Sequence, residues 1–152
     1  MIITVDSNIL LSIFTKDSLY DLSSVLLEKH SSSEYIIDTC IYLELGVYFQ
    51  NLDKLDKALD ILEVNVMKEH KSSEQAILQA WMQYLNKKKF TCPACKKNIN
   101  PVCPECLQPL SYRQRVLTDF LIGGFALANS NGILTLDPTY YKNYFPELQI
   151  ID

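Results

Sequence analysis

Four glycines in 152 residues leave little material for a glycine-rich phosphate cradle, and no segment has the spacing of one. No serine stands in a nucleophile elbow. His30 and His70, the two histidines, stand alone in polar segments and read as surface residues. No imidazole pair is therefore available to hold a metal. No apolar run reaches about 18 residues, which argues against a transmembrane helix. Asp6 falls where the apolar run of a secretory signal would be, so a cytoplasmic protein is the expectation. With no export signal, the five cysteines are not expected to form a disulfide framework. There is no internal repeat. The 48% hydrophobic content excludes a disordered chain, and the length suits one domain with a small appendage.

Charge is unevenly spread. The net charge is −4, yet residues 87–115 carry seven basic side chains (Lys87, Lys88, Lys89, Lys96, Lys97, Arg113, Arg115) against the single acid Glu105. A local basic field of this kind can steer a phosphate backbone despite an acidic total. These seven residues are candidates for RNA contact, with a solvated surface loop as the alternative.

Hydrophobic spacing predicts alternating strands and helices. Ile2–Val5 reads as a buried strand, followed by a helix from Ile9 that reaches Leu27–Lys29. Tyr35–Ile37 is a second strand and Cys40–Phe49 a helix, with Leu52–Leu62 continuing at helical spacing. Cys40 itself reads as a small buried hydrophobe. Glu63–Met67 alternates as a strand. Ser72 and Gln75 form a capping-box signal that opens a helix through Asn86. Helical character returns near Ser111–Tyr112 and runs to Ala128. Asn129–Gly132 reads as a turn, then Ile133–Leu136 as a strand ending at Asp137. Thr139–Phe145 is a short aromatic segment, and Leu148–Ile151 a last strand. This alternation predicts a mostly parallel sheet covered by helices.

Four carboxylates are conspicuous. Asp6 and Asp137 each end a short apolar strand and precede a turn, where open α/β sheets place ligands; either could instead cap the following helix. Glu44 lies among Cys40, Ile41, Val47 and Tyr48, its neighbours at helical spacing. That face is expected to point inward, and a buried charge needs a partner, a proton or a metal. No Lys or Arg lies between residues 30 and 53, so an ion pair would have to be long-range. Asp119 heads the apolar run after Thr118 and could equally be a first-turn acid favoured by the helix dipole. The glycine pair Gly123–Gly124 in that helix is expected to allow close packing against another backbone. Carboxylates gathered at one sheet edge suit Mg²⁺ or Mn²⁺, and phosphodiester hydrolysis is the natural use of such a site.

Cys92-x₂-Cys95 and Cys103-x₂-Cys106, seven residues apart, have the spacing of a four-thiolate Zn²⁺ site. Iron or redox use is the alternative. Residues 90–110 are too few and too polar to bury a core, so a closed, structural zinc ribbon is expected there. Its basic flanks suggest RNA contact, although such a module can also bind protein or extend a dimer interface.

In order along the chain, VDSNIL, YLELG, TDFLIGGFALA and LTLD resemble the PIN-domain nucleases, especially the toxin subunits of VapBC-type toxin–antitoxin pairs. The resemblance covers nearly all of the chain except residues 90–110. It implies a three-layer α/β/α fold formed by residues 1–89 and 111–152, interrupted by the zinc ribbon. It implies a Mg²⁺- or Mn²⁺-dependent endoribonuclease with Asp6, Glu44, Asp119 and Asp137 at the metal site, and Asn8 and Thr135 in support. RNA substrate, a small antitoxin and a homodimer follow from the same likeness. A ribosomal- or transfer-RNA maturation nuclease, or an inactive RNA- or protein-binding module, are the alternatives.

Overall fold

A computed structural model describes residues 1–68, 73–87, 90–92, 94–109 and 117–152. Its elements are β1 (Ile2–Val5), α1 (Ser7–Thr15), α2 (Tyr20–Lys29), β2 (Glu34–Asp38), α3 (Thr39–Phe49), α4 (Leu52–Ile61) and β3 (Val64–Met67). They continue with α5 (Glu74–Lys87), β4 (Phe90–Thr91), β5 (Asn98–Ile99), α6 (Leu117–Asn129), β6 (Gly132–Leu134), α7 (Pro138–Tyr144) and β7 (Ile150–Ile151). Five strands form one wholly parallel sheet in the order β3-β2-β1-β6-β7. β4 and β5 pair separately as an antiparallel hairpin.

The chain steps outward from β1 to β2 and β3, then crosses back to β6 and continues to β7 on the other side. Crossover connections run in both directions from β1, and the helices between the strands make the expected three-layer α/β/α architecture. The direction reverses between β1 and β6, which pair with Val5 opposite Leu134. Ligands of open parallel sheets bind at the carboxyl ends of such a pair.

The first helix differs from its predicted form. It breaks at Lys16, which adopts a left-handed conformation (φ 52°) and ends α1 through its N–H bond to the Ser12 carbonyl. Asp17 restarts the chain: its Oδ1 accepts from the Ser12 hydroxyl at 2.7 Å and from the Leu19 N–H at 2.8 Å. Periodicity ran through this break because apolar spacing persists on both sides. α3 and α4 are likewise separate, with Gln50 left-handed (φ 51°) and the Asn51 side chain capping α4 through the Lys54 N–H. The Ser72 capping box and the helical start at Ser111–Tyr112 lie outside the described residues.

Two further corrections concern glycines. Gly132 does not form a turn or helix cap but begins β6, where a Cβ would meet the Gln149 carbonyl oxygen at 2.6 Å. Gly123 and Gly124 admit side chains, not another backbone: Phe145 occupies the space at Gly123 and Ile77 of α5 that at Gly124. The strand expected to reach Leu136 ends at Leu134, and the aromatic segment after Pro138 is helical. Phe120 of α6 is the centre of the aromatic packing, edge-on to Trp81, Tyr140 and Tyr144 at centroid separations of 5.0–5.5 Å. No described helix is long and apolar enough to cross a membrane.

Gly123→Ala tests the glycine contact. Alanine favours helix by about 1 kcal/mol over glycine, but its methyl group would overlap the buried Phe145 ring. A net loss of about 1–3 kcal/mol is expected from overpacking, measured by urea denaturation; a gain in stability would contradict the packing described.

Candidate active site

Three aspartates stand just before helices, and their side chains have different roles. Asp38 caps α3, its Oδ1 accepting from the Ile41 N–H at 2.9 Å. Asp137 caps α7 in the same way through the Tyr140 N–H at 3.3 Å. Asp6 occupies the cap position of α1 but makes no side-chain cap bond. Its backbone N–H instead continues the β1–β6 ladder to the Leu134 carbonyl at 3.0 Å, and its carboxylate is left for other partners.

Those partners come from across the switch point. Asp6 Oδ2 accepts from Asn8 Nδ2 at 2.8 Å, from the Thr135 hydroxyl at 2.7 Å and from the Tyr141 hydroxyl at 3.3 Å. Thr135 is fully used: besides donating to Asp6, its oxygen accepts from Asn8 Nδ2 at 3.2 Å and from the Asp137 N–H at 3.0 Å. Asn8 Oδ1 accepts from the Leu136 N–H at 3.1 Å. One amide thus ties the ends of β1 and β6 together, and this network sets which way it points.

Asp6 is only 6% exposed. Burial raises its pKa, against which the hydrogen bonds from Thr135, Tyr141 and the Ser7 backbone act, while the negative charge of Asp119 adds to the rise. Glu44, half-buried on α3, is also shifted upward, first by burial and then by the charges of Asp6, Asp119 and Asp38. The Ser7 hydroxyl lies between these two acids, 3.5 Å from Asp6 Oδ1 and hydrogen-bonded to Glu44. Asp6, Glu44 and Asp119 are therefore within electrostatic reach of one another. Asp137 reaches this network through its backbone N–H on Thr135, while its carboxylate caps α7.

The helix face around Glu44 does not point wholly inward, contrary to expectation. Ile41 is buried, but Val47 is 77% exposed and Tyr48 about half exposed. Glu44 sits at the boundary of α3, not on a wholly inward face. Its pKa rises through this partial burial and then through the charges of Asp6, Asp119 and Asp38.

Sequence reasoning missed three contributors. Tyr141, 2% exposed, lay in an aromatic run with no mark of polar work; burial and then the Asp6 charge push its phenol pKa well up, so it stays a donor. Ser7 stands directly after Asp6 with no local mark of a role. Asp38 caps α3, yet its charge also reaches Glu44 and Cys40. Half-buried Cys40, with its thiol pushed up to about 11 by burial and then Asp38, is unreactive.

The donor chemistry fits a hard divalent cation. The acids offer only oxygen ligands, and their mutual repulsion is the burden such an ion relieves. Among the described residues no three Asp, Glu, His or Cys side chains stand together as a group that could hold a metal ion. An open site of one or two direct carboxylates is what Mg²⁺, which gives up water reluctantly, commonly uses. Of the basic residues, Lys96 and Lys97 are exposed near the hairpin, and Lys87 ends α5. Lys88, Lys89, Arg113 and Arg115 lie outside the described residues. The cysteines form two pairs, Cys92 with Cys95 and Cys103 with Cys106.

No family model matches the sequence, and no curated protein matches it. Solved structures do match. Over 99% of its length the chain is similar to 97% of a chain from the VapBC2 complex of Rickettsia felis bound to a promoter DNA fragment, with a TM-score of 0.57 and 16% identity. It is similar over its whole length to 98% of a chain from VapBC-1 of nontypeable Haemophilus influenzae, with a TM-score of 0.55 and 20% identity. These likenesses show the fold, and it is the fold that the resemblance implied.

Raised acid pKa values mean that ionising Asp6 and Glu44 opposes folding. Their stabilising contribution is full below the ordinary carboxylate range and is lost as pH rises through the raised values. Chelator-treated protein should therefore lose stability between acid and neutral pH, and Asp6→Asn should lessen that loss and raise neutral-pH stability by about 1 kcal/mol. Thermal melts across pH test this; identical profiles for the two proteins would show that the Asp6 carboxylate is not desolvated.

Proposed function

We propose that this chain is a metal-dependent endoribonuclease of the VapC toxin type, hydrolysing RNA phosphodiester bonds. The observation that supports this most is Asp6: a carboxylate at the switch point, excluded from capping, buried, and beside Glu44 and Asp119. Asp6 and Asp119 would be the principal ligands of Mg²⁺ or Mn²⁺, with Asp137 completing the shell directly or through water. Such an ion, when bound, supplies Lewis acidity and lowers the pKa of water. Glu44 would bind the ion or position the attacking water. Asn8, Thr135 and Tyr141 keep the Asp6 carboxylate in one orientation. The basic side chains between residues 87 and 115 hold the RNA backbone.

The two structural neighbours come from VapBC complexes. By that likeness, a small antitoxin that covers the site and a second copy of this chain are the proposed protein partners.

Purified protein should cleave single-stranded RNA with Mg²⁺ or Mn²⁺ and not in EDTA. Asp6→Asn and Asp119→Asn, each folded by circular dichroism, should reduce the rate at least about 100-fold, some 2.7 kcal/mol of transition-state stabilisation. Unchanged cleavage by either variant would overturn the assignment of that residue.

A further inference from the structure

Between α5 and α6 the chain repeats one backbone motif. In the first copy the Cys92 carbonyl accepts from the Lys96 N–H at 2.9 Å, and the Cys92 N–H donates to the Lys97 carbonyl at 2.8 Å. In the second, the Cys103 carbonyl accepts from the Leu107 N–H at 2.9 Å, and the Cys103 N–H donates to the Gln108 carbonyl at 2.9 Å. Lys96 and Leu107, each one residue past its second cysteine, are both left-handed, with φ of 60° and 57°. A non-glycine residue rarely takes that conformation without a reason. Here it recurs at the same offset twice.

The consequence falls on the sulfurs. The N–H groups of Cys95 and Ala94 face the Cys92 sulfur, and those of Cys106 and Glu105 face the Cys103 sulfur. Each turn therefore presents its first cysteine in the same backbone setting. Each hairpin is closed by little else: β4 with β5 in one, and a single bridge between Val102 and Pro109 in the other. No described side chain from residue 94 to 109 is buried, and only Pro101 and Cys103 are even half-buried. An apolar core cannot be what orders this segment.

We propose that the two hairpins are half-sites for one Zn²⁺ ion, bound by Cys92, Cys95, Cys103 and Cys106, and that the ion supplies the folding free energy of the insertion. Four sulfurs suit tetrahedral zinc, and a closed set of four is structural, leaving no position for a substrate. Among the described residues the four thiols do not stand together as one ligating group; their joint use of one ion would couple metal uptake to folding. Lys96 offsets part of the thiolate charge at the first half-site. The inference stands independently of the nuclease reading.

Full-length protein purified from zinc-supplemented cells without chelator should carry about one zinc per chain by elemental analysis. Co²⁺ exchanged into it should show thiolate-to-metal charge-transfer absorption. Cys103→Ser should lose most of the zinc, whereas Cys40→Ser, altered outside the motif, should keep it. Should Cys103→Ser fail to fold, titrating the wild-type protein with a mercurial should release one zinc per about four thiols. Amide exchange at Lys96 and Leu107 should quicken when a chelator removes the metal. Zinc below about a tenth per chain, iron in its place, or a Cys40→Ser protein that loses the metal would overturn the proposal.

Discussion

The structure is organised by the cost of burying the Asp6 carboxylate. Taking a charged group out of water costs several kcal/mol unless its lone pairs are satisfied. The donors that satisfy it are neutral and come from separate elements: Asn8 of α1, Thr135 after β6, and Tyr141 of α7. Each demands something of the fold. Thr135 requires the β1–β6 register that sets Val5 against Leu134. Tyr141 requires α7 to lie over the switch point, and α7 is held by Tyr140 and Tyr144 against Phe120. Phe145, the next residue, fits over Gly123. A glycine on α6 is thereby connected to the acid that follows β1.

Neutral donors steady a carboxylate without cancelling its charge. Asp119 and Glu44 act on Asp6 and on each other through that remaining field, and the acid pKa values rise in consequence. Such a cluster lowers the stability of the protein on its own and gains by association with a cation. Stability given up at a site and recovered by binding is the usual sign of function. The cysteine hairpins follow a related logic in another chemistry. There the backbone donors prepare sulfur instead of oxygen, and the segment has no apolar core to fall back on.

Much of this was legible in the chain. Alternating strands and helices, the parallel sheet, and the positions of β1, β2, β3 and α3 follow from local periodicity, which sequence carries directly. The misreadings share a physical cause. The break at Lys16–Asp17 depends on one left-handed residue and one side-chain acceptor, and neither interrupts the apolar spacing. The apolar neighbourhood of Glu44 on its own helix is partly solvent-exposed, and the charges that act on it belong to other elements. Tyr141 and Ser7 were missed because nothing local separates a tyrosine that supports an acid from one that fills a core.

Asp6, Asp38 and Asp137 mark most clearly what each level decides. All three follow strands or strand-like runs and precede helices, and sequence alone determined that an acid would stand at each of these places. It also determined the element order, and with it the reversal that brings β1 and β6 together. Only the tertiary structure decided which acid would cap and which would be released. A cap bond needs nothing beyond the next three residues, so Asp38 and Asp137 satisfy themselves locally. The Asp6 side chain is engaged by residues as far as 135 positions away, and no local pattern can encode a competition decided at that distance.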